Sequence, residues 1–128
     1  MSTYSIDRSL VLVHGSCYGG WCWNKMKHFL KVYDPEIYTH KLTGLGESSH
    51  ILYEFINLST HFNDIVQVFE YQDLCDVLLV GHSYRGMVIG SVAEKTPDRI
   101  KPMILHDADI PQDGKSGFDI IPWFKRYL

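Results

Sequence analysis

Val77-Leu78-Leu79-Val80-Gly81-His82-Ser83-Tyr84-Arg85-Gly86 is the stretch that decides the fold. Four apolar residues in succession read as a strand buried on both faces. The run passes directly into Gly81-His82-Ser83. A helical pattern then extends from Tyr84 to Lys95, where Thr96-Pro97 stops it. A serine at the apex of so abrupt a turn is held out of the sheet in a strained conformation. The first amides of the helix then point at any oxyanion formed beside it. Glycines on either side let the strand and helix backbones come close. An ordinary Gly-Ser turn uses the same residues without chemistry, so the turn alone leaves both readings open.

The same alternation runs outward from this stretch. Leu10-Val11-Leu12-Val13 is a second buried strand, ended by His14-Gly15. From Gly19 to Tyr33, Trp23, Met26, Phe29, Leu30 and Tyr33 recur at helical spacing, and Asp34-Pro35 ends the helix. Ile37 to Leu42 is a strand candidate, and Thr43 to His50 is a loop. Ser59 to Tyr71 is a helix with the stripe Phe62, Ile65, Val66 and Phe69, capped by Ser59 or Thr60. Met103-Ile104-Leu105 is a further strand. Beyond Asp107 the chain reads as loop to Gly117, then as an apolar tail from Phe118 to Leu128. Strands alternating with helices predict an α/β fold, a parallel sheet of about four strands with flanking helices. If the strand order reverses between the first and third strands, a crevice opens at their C-terminal ends, where His14-Gly15 and Ser83 lie.

His14-Gly15-Ser16-Cys17-Tyr18-Gly19-Gly20-Trp21 follows the first strand and opens a helix. A glycine-rich loop here can set a backbone amide opposite the serine, so that the amides of Ser16 and Tyr84 form an oxyanion hole. The competing phosphate-loop reading fails because no Gly-Lys-Ser/Thr follows. Thr43-Gly44-Leu45-Gly46-Glu47-Ser48-Ser49 lacks the third glycine of a dinucleotide fingerprint and reads as a loop.

Composition narrows the function classes. The 128 residues suit one domain, with 45% apolar and 21% charged residues and a formal net charge of −3. Scattered Lys and Arg give no basic stripe for a nucleic acid. No apolar run is long enough to span a membrane, and Met1 to Arg8 lacks the apolar segment of a signal peptide. Cys17, Cys22 and Cys75 form no framework, which suits a cytoplasmic protein, and they are too isolated from other ligand-type residues to argue for zinc.

The order of these motifs resembles the α/β-hydrolase superfamily. Val11 to Trp23, Leu42 to His50, Gly81 to Ile89 and Asp107 to Ser116 resemble its small plant and bacterial esterases, a group that includes salicylate-ester hydrolases and hydroxynitrile lyase relatives. The resemblance implies carboxylic-ester hydrolysis without cofactor or metal. Ser83 is the implied nucleophile, Ser16 and Tyr84 the oxyanion donors, and His14, Gly15 and Cys17 the substrate-side loop. It divides the chain into a sheet core, 1–108, and the start of a lid, 109–128.

Two departures qualify that expectation. The Gly-x-Ser-x-Gly pattern has Arg85 in its last position, where a small residue fits against the neighbouring strand. Arg85 is expected to swing outward or to distort the turn, and a misplacement of about an ångström costs on the order of a hundredfold in rate. The family order is also serine, then acid, then histidine. After Ser83 the one histidine is His106, with Glu94 and Asp98 poorly placed to orient it and Asp107 lacking a histidine downstream. The chain reads as a truncated α/β-hydrolase fold, nearly inactive alone. The alternatives are a non-catalytic binding module or one piece of a split hydrolase. The last strand would be an open edge, and with the apolar tail it favours self-association.

Overall fold

The computed structural model describes residues 8–15, 19–108 and 112–114. Its strands are β1 (Ser9–Val13), β2 (Glu36–Tyr38), β3 (Val77–Ser83) and β4 (Ile100–Ala108). The helices are α1 (Asn24–Leu30), α2 (Leu58–Tyr71) and α3 (Arg85–Lys95), with 3-10 turns at Gly20–Trp23, Lys31–Tyr33, Gly46–Ile51 and Pro97–Arg99. The tail from Phe118 lies outside the described residues.

All four strands are parallel, in the order β2-β1-β3-β4. The order reverses between β1 and β3, which meets the condition for a crevice at their C-terminal ends. Val13 pairs with Gly81, which sets His14-Gly15 beside His82-Ser83 at the C-terminal edge of the sheet.

Alternate residues of β1 serve opposite faces. Val11 and Val13 join Leu79, Ile65, Phe69, Val88, Ile89 and Val92 in the larger core beneath α2 and α3. Leu10 and Leu12 join Val80 and Trp23 in the smaller core on the other face.

Three expectations need correction. The helix expected over Gly19 to Tyr33 is α-helical only at Asn24–Leu30, between two 3-10 turns, and its apolar residues do not all face the core. Trp23 is buried, but Phe29 is 74% exposed and Met26 and Tyr33 are exposed too. The second strand covers only Glu36–Tyr38, and the loop after it tightens into a 3-10 turn. The cap of α2 is Asn57, not Ser59 or Thr60. The Asn57 side chain accepts from the Thr60 amide (3.2 Å), and the Thr60 hydroxyl accepts from the Asn57 amide (3.2 Å).

β4 pairs with β3 alone among the described residues, and its Met103, Ile104 and Leu105 are exposed. That is the open apolar edge expected of it.

Asn57→Ala removes the reciprocal cap of α2. It should lower stability by about 1 kcal/mol, read as a lower urea midpoint at unchanged m-value.

Candidate active site

Ser83 is the last residue of β3 and has φ 59°, in the left-handed region that side chains with a Cβ rarely adopt. Tyr84 follows at φ −48°, and α3 begins at Arg85. The close approach behind this turn is visible at Gly81. A Cβ there would lie 2.7 Å from Ile89 Cδ1 and 3.2 Å from the Arg85 carbonyl oxygen. Ser83 is half-buried, and no hydrogen bond ties its hydroxyl to a neighbour among the described residues.

His14 is buried at the end of β1. The Leu42 amide donates to its Nε2 (3.3 Å), so the proton sits on Nδ1 and is donated to the Gly15 carbonyl (2.8 Å). Both ring nitrogens are therefore committed to holding loops, and neither is free to serve Ser83. Burial holds its pKa below the ordinary 6.5, the bond to Gly15 opposes that, and nearby Arg85 reinforces it. Gly15 is buried beside it. Ser16 and Cys17 lie outside the described residues.

Sequence reasoning missed a polar network next to this point. His61, on α2, donates through Nε2 to the Thr43 carbonyl (3.0 Å), which leaves Nδ1 to accept from the Tyr84 hydroxyl (3.4 Å). Asp64, one turn further on, accepts from the Thr43 amide (2.7 Å) and hydroxyl (2.8 Å). One face of α2 thus fixes both the 42–46 loop and the residue after Ser83. Burial lowers the pKa of His61 and raises that of Tyr84.

Arg85 does not swing outward. Its side chain is fully buried, with Nε donating to the His14 carbonyl at the end of β1. The guanidinium carbon lies 4.4 Å from the centre of the Tyr84 ring. Nη1 and Nη2 are buried without a hydrogen-bond partner. Burial brings the pKa down to about 10, so the group stays charged at neutral pH.

A groove of about 860 Å³ lies elsewhere, between β2 and α2, lined by Tyr38, His40, Ser59, Asp64, Gln67 and Tyr71 among others. None of the site residues expected from the sequence lines it. Among the described residues no cluster of three metal-ligating side chains occurs. No helix there is long and apolar enough to cross a membrane.

A family model described as "Alpha/beta hydrolase family" matches residues 10–128. The chain belongs to the alpha/beta hydrolase family. Its relatives include a "Carbendazim hydrolyzing esterase" from Nocardioides sp. (strain SG-4G), 38% identical over 114 residues, covering 89% of this chain and 47% of the relative. "Salicylic acid-binding protein 2" of Nicotiana tabacum is 31% identical over 105 residues, covering 81% of this chain and 40% of its own length. Among solved structures, an extracellular alpha/beta-hydrolase from a Paenibacillus species superposes with a TM-score of 0.83 at 30% identity, covering 92% of this chain and 48% of the other. This hydrolase-family chain thus spans less than half the length of the relatives it matches, from 26% to 47% of the curated ones.

Two outcomes follow for this part of the fold. His14 and His61 are neutral when folded and have lowered pKa values, so the unfolded chain takes up protons first on acidification. Stability from this source is complete above the ordinary value of 6.5 and is lost as pH falls below it toward the lowered values. Urea midpoints measured between pH 8 and pH 5 should fall in that window, and His61→Gln should flatten the slope by up to about one proton. Arg85→Met removes an unpaired buried charge at similar volume. In a buffer containing only chloride as anion, it should raise stability by at least about 1 kcal/mol, whereas a loss would show the guanidinium to be well satisfied.

Proposed function

We propose that this chain carries the nucleophile and one wall of the active site of a serine carboxylic-ester hydrolase. The single observation behind the reading is Ser83 at φ 59°, at the tip of β3 and immediately before α3. Ser83 Oγ attacks the ester carbonyl carbon and passes its proton to a base. The carbonyl oxygen becomes an oxyanion facing the amides of Ser16 and Tyr84. Collapse expels the alcohol, which leaves with a proton, and water then releases the acid from the acyl-serine. His14, Gly15 and Cys17 belong to the loop on the substrate side. Among the described residues none accepts the proton of Ser83, so the base comes from outside them, in the same polypeptide or in another. The names of the relatives support an ester as substrate, here a small one with an apolar acyl or aryl part.

A second reading, ligand binding without turnover, is favoured by one feature. Arg85 places a buried, unpaired charge two residues from Ser83, which neutral ester chemistry does not call for.

The test is hydrolysis of an activated aryl ester by the 128-residue polypeptide and by Ser83→Ala. With no base for Ser83 among the described residues, the polypeptide should keep at most about the 10³–10⁴-fold advantage over buffer that binding and an oxyanion hole supply, and Ser83→Ala should remove what depends on the acyl-serine. Equal rates in the two proteins would take Ser83 out of the mechanism.

A further inference from the structure

Two positive features lie next to each other in the fold, and neither has a counter-charge among the described residues. The first is the amino end of α3, an 11-residue helix with no side-chain cap and no acidic residue in its first turn. Its leading amides carry the positive end of the helix dipole. The second is the Arg85 guanidinium. It starts from the first residue of that helix and folds back over Tyr84, the residue that precedes it. Its Nε is spent on the His14 carbonyl, whereas Nη1 and Nη2 are buried and unpartnered. The ion pairs among the described residues use other cations, Arg99 with Asp73 and Lys101 with Asp76. Among the described residues, the groups facing the guanidinium are the imidazoles of His14 and His61 and the Tyr84 hydroxyl, and the nearby carboxylates Glu47 and Asp64 act on those imidazoles rather than on Arg85. A cation buried in this way is costly unless an anion joins it.

We propose that the Arg85 guanidinium and the amino end of α3 form a binding site for a small monocarboxylate. Two free N–H groups on a planar fork match the two oxygens of a carboxylate, and the Tyr84 ring provides an apolar flank for the rest of the molecule. The guanidinium has no contact with solvent, so entry requires its cover to part. That cover includes the Tyr84 ring, tethered to His61 by one 3.4 Å hydrogen bond. The anion site stands on the Arg85 guanidinium and the helix end, independently of any reaction at Ser83. Preference for carboxylate over phosphate rests on the ester-hydrolase reading, because hydrolysis at Ser83 would release a carboxylate two residues away. This chain would then retain its acid product where a neutral residue at position 85 would let it go.

The test is the thermal midpoint of the 128-residue chain in sodium benzoate, sodium phosphate and sodium chloride at equal ionic strength. The wild type and Ser83→Ala are compared with Arg85→Met and, should that variant not fold, with Arg85→Lys. Benzoate should raise the midpoint of the wild type and Ser83→Ala by a few degrees at saturating concentration, on the order expected for ligand linkage. Arg85→Met should lose the response, and Arg85→Lys should lose most of it. An equal response in Arg85→Met and wild type, or no response in the wild type, overturns the site. A larger response to phosphate than to benzoate overturns its carboxylate identity. Benzoate binding by Ser83→Ala alongside Ser83-independent hydrolysis would leave the site standing and remove the esterase reading. Ser83-dependent hydrolysis without benzoate binding would do the reverse.

Discussion

The approach of α3 to the end of β3 is the constraint on which the remaining geometry depends. The helix returns over Gly81 so closely that Ile89 and the Arg85 carbonyl occupy the space of a side chain there. A chain that must turn from strand to helix in that space has few backbone solutions, and one residue takes a left-handed conformation. That residue is Ser83. The strain is carried by the large core beneath, where Val88, Ile89 and Val92 of α3 pack against β1, β3 and α2. Because β1 is the neighbour of β3 at the reversal of strand order, the same packing brings His14-Gly15 alongside.

Around that point the polar groups divide into those that are satisfied and one that is not. His14, His61, Thr43 and Asp64 close their hydrogen bonds among themselves and with backbone, and this fixes the tautomers of both histidines. Arg85 closes only one. A small residue at that position would leave a site of neutral donors suited to a transient oxyanion. Arginine adds a full, permanent charge, which favours a stable anion over a fleeting one. The tension between the proposed ester nucleophile and the proposed carboxylate site comes from this one side chain.

Much of this was legible in the sequence. β1 and β3 are buried on both faces, so their apolar runs are unbroken, and the turn residues after each run are explicit. The parallel sheet followed from the alternation of elements, whereas the strand order did not, because alternation alone does not say on which side of β1 each later strand adds. The helix over 24–30 was legible as a helix but not as to what it faces. Periodicity reports that Met26, Phe29 and Tyr33 lie near one another, not that anything covers them, and they are exposed. The cap at Asn57 was missed because the apolar stripe starts several residues later. The His61 network had a signal that went unread. His61, Ile65 and Phe69 are four residues apart, so a histidine stands in register with the buried stripe. Arg85 was expected to swing outward or to distort the turn, because it puts a long charged chain at a tight contact. Instead its Nε reaches the His14 carbonyl and its guanidinium lies over the Tyr84 ring, two partners that sequence spacing does not bring together.

The strain at Ser83 can be measured without any substrate. In ordinary backbone conformations glycine is less stable than alanine by roughly 0.5–1 kcal/mol, but at a positive φ the order reverses. Unfolding free energies of Ser83→Gly and Ser83→Ala, compared with each other, therefore report the conformation at this residue. Glycine should be the more stable of the two by about 1 kcal/mol. Greater stability of the alanine variant would mean that the chain does not take the left-handed turn there, and the account of the site would fail with it.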